Sequence, residues 1–109
     1  MDLDQIVSDI RLAGPAWKER SLGAESRGSI DPANAEEIRQ IGAHRLTQPF
    51  NFGGAQSSIE DHMRAVAVAG EYCMSTAWCL GVWSAHNWMA SHFPAEGQHD
   101  FWEDPRTLI

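Results

Sequence analysis

Histidine is the side chain that takes up and releases protons nearest neutral pH, and this sequence has five, at positions 44, 62, 86, 92 and 99. No two stand four apart on a helical turn and no His-Glu-x-x-His run occurs, so no metal site is expected. His86 lies within residues 75 to 93, "STAWCLGVWSAHNWMASHF", a stretch without Asp, Glu, Lys or Arg. A neutral imidazole there has two readings: a hydrogen-bonding group presented to a ligand, or a core histidine satisfied by a backbone carbonyl. Trp83, three residues earlier, shares the helical face of His86 and reads as an aromatic wall or a packing residue, whereas Asn87 points about 100° away. Ser75 and Thr76 head the stretch as hydroxyl donors to a ligand at a helix N-terminus, or, for Ser75, as a plain cap.

Other chemistries find less support. Gly53-Gly54 lacks the surrounding pattern of a phosphate loop and reads as a turn. Glu36-Glu37 and Glu60-Asp61 are adjacent pairs that splay apart on a helix, so they read as first-turn charges favoured by the helix dipole rather than an acid/base pair. Cys73 and Cys79 form neither a disulfide framework nor a zinc knuckle and read as reduced thiols.

The elements that must carry these residues follow from the pattern along the 109-residue chain, which is short enough for one domain of modest core. Leu3, Ile6, Val7 and Ile10 recur at helical spacing, with Gly14-Pro15 either disturbing one long helix or dividing two short ones. "SLGAESRGS" reads as a polar connector. In "DPANAEEIRQIGAH", Asp31 is placed as N-cap, Pro32 at the first helical position and Gly42 as the left-handed C-cap. A loop with Pro49 and Gly53-Gly54 follows; then Ser58 caps a third helix whose apolar face is read as Ile59, Met63, Val66 and Gly70. The tryptophan-rich helix is expected from about Thr76 to His92, and a short amphipathic helix with Phe101 and Trp102 as anchors closes the chain. No strand pattern or repeat occurs, so the class is all-α, a short helical bundle forming one domain over residues 1 to 109.

Fifteen acidic against eight basic side chains give a net charge of -7, which repels nucleic acid. The acidic N-terminus and the lack of an apolar run of about 18 residues give no signal peptide or membrane span, and a cytoplasmic location is expected. Trp78, Val82, Trp83, Trp88 and Met89 surround the wheel of the central helix, and three or four short partners cannot cover them all. Apolar area is therefore expected to remain for a second copy or a partner chain.

The order helix, "QPFNFGG", helix, "STAWCLGVWSAHNWMASHFP", "WEDPRTLI" resembles the N-terminal helical domain of the acyl-CoA dehydrogenase fold, and within it the two-component flavin-dependent aromatic monooxygenases. The resemblance runs over residues 31 to 109. It implies a reduced flavin, FMN or FAD, delivered by a separate flavin reductase, and oxygen transfer to an aromatic or similar small substrate. It implies that His86 faces the substrate and donates a hydrogen bond to a phenolate or to the oxygen carried by the flavin. Trp83, Asn87, Ser75 and Thr76 would then line the substrate or flavin pocket. The middle β domain and C-terminal helical bundle of that family are expected to be absent from this stretch of sequence. Two alternatives stand beside this reading: the corresponding domain of an acyl-CoA dehydrogenase, and a non-catalytic helical module that self-associates or docks on another chain.

Overall fold

The computed structural model describes residues Met1–Ile109 and holds six α-helices: α1 (Leu3–Glu19), α2 (Ser21–Arg27), α3 (Pro32–Ile41), α4 (Ile59–Gly70), α5 (Met74–Ala90) and α6 (Ala95–Phe101). Two 3₁₀ turns, Ala43–Arg45 and Phe50–Phe52, shape the connection from α3 to α4. No strand forms, in agreement with the all-α class. No helix is long and apolar enough to cross a membrane.

Local chemistry sets most helix starts. Asp31 accepts a hydrogen bond from the Ala33 N–H, Pro32 occupies the first turn, and Gly42 ends α3 at φ +80°, as the capping pattern requires. Ser58 accepts from the Asp61 N–H and starts α4. Asp2 caps α1 through the Gln5 N–H. The α1 helix runs through Pro15 as a single element, and Gly14 lets it lie against the ring of Tyr72, which a Cβ at that position would overlap.

Four sequence expectations are corrected. Residues Ser21–Arg27 are helical rather than a polar connector, with Leu22 and Ser26 outward and Ala24 buried beneath them. The core face of α4 is His62, Ala65 and Ala69, while Ile59 and Met63 are exposed, so its buried side is the small-residue side. Ser75 does not cap α5; the helix starts two residues earlier than expected, at Met74 with Cys73 in the extended cap position, and ends at Ala90. In the pair Gly53-Gly54 only Gly53 has positive φ, at +84°; Gly54 is needed because a Cβ there would overlap the Gln48 carbonyl.

The core gathers Ile6, Ile10 and Trp17 of α1, Ile38 of α3, Leu46, Ala65 and Ala69 of α4, and Ala77 and Leu80 of α5. At the centre is α5, which packs along α4 and touches α3, the Ala43–Arg45 turn and α6. Small residues permit the close α4–α5 approach: Gly70 faces Ala77, and Gly81 faces Val66.

Candidate functional site

The α5 helix buries three polar side chains beside Ala77, Leu80 and Ala90 and turns several large apolar ones outward. Thr76, Ser84 and Asn87 are at most 1% exposed, whereas Trp78 is 76%, Met74 73% and Met89 53% exposed. Each inward polar group has a partner. The Thr76 hydroxyl accepts from Asn34 Nδ2 at 2.9 Å, and Asn34 Oδ1 in turn accepts from Arg20 at 2.9 Å. Ser84 Oγ donates to the Leu80 carbonyl, which leaves His62 Nδ1–H to donate to the Ser84 oxygen, while Thr47 Oγ1 donates to the Ser84 carbonyl. Asn87 Nδ2 donates to the His44 carbonyl at 2.7 Å and to Gln48 Oε1 at 3.1 Å, and its Oδ1 accepts from the Trp102 indole. Buried amides and hydroxyls left unpaired would each cost about 1–3 kcal/mol, so these bonds fix the rotation of α5 about its axis.

That rotation decides what faces outward. Counting 100° per residue from Ser75, the positions Trp78, Cys79, Val82, His86 and Met89 fall within one band of the helix, and this band carries no charged residue. His86 is exposed in it, and its Nδ1 lies 2.7 Å from the main-chain oxygen of Ile109. That oxygen only accepts, so Nδ1 carries the proton and Nε2 of the neutral ring carries a lone pair. In that tautomer Nε2 is a hydrogen-bond acceptor.

The expected site residues separate into two groups. His86 and Ser75 share the outward band, eleven residues or roughly 16 Å apart along the axis. Trp83 lies half-buried against the core. Asn87 and Thr76 point inward, with their polar atoms committed to the network above. Ser75 lines a cleft of about 670 Å³ between α2 and the start of α5, walled by Leu22, Met74 and Trp78. His86 lines a smaller niche of about 140 Å³ with Met89, Phe93, Phe101 and Ile109. Of these wall residues Trp78, Met89 and Phe101 stood out in the sequence as apolar positions, though not as parts of a cleft; Leu22, Met74 and Ile109 did not, because only the fold brings them beside α5.

Two buried histidines support the frame. His44 is fully buried with neither ring nitrogen in a regular hydrogen bond, although the backbone at Ile38 and Arg106 lies close. Burial, with the Arg45 charge beside it, pushes its pKa down to about 4, and the ring stays neutral. Burial alone lowers that of His62.

No protein-family model matches the chain. It is 30% identical over 102 residues to the FADH(2)-dependent resorcinol hydroxylase oxygenase component of Rhizobium sp. strain MTP-10005, an alignment covering 91% of this chain and 25% of that protein. Against the p-hydroxyphenylacetate 3-hydroxylase oxygenase component of Acinetobacter baumannii, identity is 26% over 92% of this chain and 24% of the relative. The crystal structure of the HsaA monooxygenase of M. tuberculosis superposes with a TM-score of 0.93 at 25% identity, over 98% of this chain and 28% of that one. The chain is similar to one part of flavin-dependent oxygenase components. Its fold is that of one helical portion of such proteins, and it spans about a quarter of their length. The resemblance read from the motif order agrees with both the aligned relatives and the superposed structure.

Proposed function

We propose that residues 1–109 form the substrate-side wall of a reduced-flavin-dependent monooxygenase that hydroxylates an aromatic or similar small substrate. The observation that carries this reading is the superposition of nearly the whole chain on the HsaA monooxygenase. The outward band of α5 supports it, since an uncharged face with one imidazole suits a flat aromatic ligand and a planar cofactor. These residues fit only that side of a flavin. Arg39 and Arg106, the cations of a separate polar cleft, are each paired with Glu36, so that cleft offers no free cation for a cofactor phosphate.

When bound, reduced flavin, FMN or FAD, supplies the activation of molecular oxygen, and a separate flavin reductase keeps it reduced. The part of this chain is narrower. His86 Nε2 takes the proton of a substrate hydroxyl, which enriches the ring in electrons, while its Nδ1–H stays on the Ile109 oxygen and holds the imidazole in place. Trp83, half-buried on α5, packs against the core, and Ser75 and Trp78 extend the wall toward α2. The rest of the outward band excludes water once covered, by a second copy or by a partner chain.

A graft tests this. Residues 1–109 replace the aligned segment of the Rhizobium resorcinol hydroxylase component, and resorcinol hydroxylation is followed with FADH2 supplied by a reductase. Retained hydroxylation that falls about 10²-fold or more in His86→Ala supports the reading. A folded, flavin-binding graft without hydroxylation, or one indifferent to His86→Ala, overturns it.

A further inference from the structure

The hydrogen bond that orients His86 joins two bodies. Its ring nitrogen belongs to α5, and its acceptor, the Ile109 main-chain oxygen at 2.7 Å, belongs to residues 103–109, the segment after α6. That segment makes no main-chain hydrogen bond to any helix; its Thr107 N–H turns back onto the Asp104 carbonyl. Side chains must therefore place it. Leu108 packs against the core, a contact without direction. Arg106 meets Glu36 at 3.4 Å, but both side chains are about half exposed, and such a pair is screened by water. Trp102 bonds to Asn87 at the root of the segment, seven residues before the oxygen that meets His86.

Gln48 supplies what these contacts lack. It is fully buried between the two 3₁₀ turns. Its Oε1 accepts from Asn87 Nδ2 at 3.1 Å, and its Nε2 donates to the Pro105 carbonyl at 3.1 Å and the Phe52 carbonyl at 2.6 Å. Both amide hydrogens and the amide oxygen are thus in use. Asn87 is the neighbour of His86 on α5, and Pro105 lies four residues before Ile109. Apart from His86 itself, no other side chain is hydrogen-bonded both to α5 and to residues 103–109. One amide therefore sets the separation of the imidazole from its acceptor, and a hydrogen bond weakens steeply when its geometry slips.

We propose that Gln48 is a positioning residue: by tying Asn87 of α5 to Pro105, it keeps the Ile109 oxygen on His86 Nδ1 and holds the ring in the tautomer with Nε2 free. Its value to catalysis rests on the reading of His86 as the substrate-facing group; its effect on the tautomer does not.

The tautomer is read by NMR on the purified, ¹⁵N-histidine-labelled chain without flavin or substrate. At about pH 9 imidazole is neutral, and protonated and bare ring nitrogens have well-separated ¹⁵N shifts. The wild type is expected to carry the His86 proton on Nδ1. Gln48→Met, of similar volume but without the three bonds, lowers the ratio of the Nδ1–H to the Nε2–H form about fivefold or more, the worth of one ordinary hydrogen bond. Gln48→Asn, a milder change whose shorter amide cannot span both partners, shifts the ratio the same way. Thr47→Val controls for lost stability: it removes a neighbouring buried bond to the Ser84 carbonyl of α5, makes none to residues 103–109, and leaves the ratio at the wild-type value. A wild-type ring protonated on Nε2, an unchanged ratio in the folded Gln48 variants, or an equal shift in Thr47→Val overturns the proposal. Failure of both Gln48 variants to fold, where Thr47→Val folds, assigns Gln48 to the fold alone and overturns it as well. An inactive resorcinol hydroxylase graft alongside the expected tautomer change removes the oxygenase reading alone. An active graft alongside an unmoved tautomer removes the role of Gln48 alone.

Discussion

His44 carries an electrostatic cost, because burial and the Arg45 charge disfavour its protonated ring. Its folded pKa of about 4 lies below the ordinary 6.5, so between those values the unfolded chain binds a proton that the folded chain refuses. Stability is unaffected by this residue above about pH 6.5, falls as pH drops toward 4, and changes no further below that. The total loss amounts to about 3 kcal/mol. Urea unfolding at pH 7 and pH 4.5 measures it, and His44→Phe flattens the difference if the packing accepts the ring. His62 contributes with the same sign. Asn87→Ala strands the Trp102 indole and Gln48 in the interior and lowers stability by roughly 2–3 kcal/mol, read as a shift of the urea midpoint. Trp78→Ala, despite removing a far larger side chain, changes stability by less than about 0.5 kcal/mol, because the ring is already in water.

At the scale of elements, what the sequence revealed was what is decided locally. Asp31, Pro32, Gly42 and Ser58 set helix ends through bonds spanning two to four residues, so their roles were legible without tertiary knowledge. The same locality makes them testable: Asp31→Ala lowers stability by about 1 kcal/mol and Gly42→Ala by about 1–2 kcal/mol, both visible as a lower melting temperature. What escaped reading was decided by neighbours. α2 contains a glycine and two serines and forms because Ala24 has somewhere to bury. The α4 face was misread because Ile59 and Met63 look like core residues, whereas close approach to α5 demands Ala65 and Ala69. His86 was legible as the candidate group, but its tautomer was not, since that depends on an oxygen 23 residues away.

The whole molecule exposes 6120 Å². A folded monomer of this mass is expected to expose about 6,000 Å², so its surface is ordinary in extent and unusual only in where its apolar part lies. Leu12, Leu22, Phe50 and Met63 are exposed singly on other elements, whereas Met74, Trp78 and Met89 stand together on one helix, and the chain should bind the dye ANS in its native state. Trp78→Glu is expected to reduce that fluorescence severalfold with no loss of helix content by circular dichroism, and undiminished fluorescence would place the sticky surface elsewhere.

The polar side chains that α5 buries, and the apolar ones it exposes, also bear on protein engineering. A designer following the usual binary pattern would place leucine at Ser84 and Asn87 and lysine at Trp78 and Met89, and would regard both changes as repairs. The outer half of that recipe would give a more soluble domain. The inner half would break the bonds that hold the helix at its present angle, so α5 could roll and its histidine would lose its bearing.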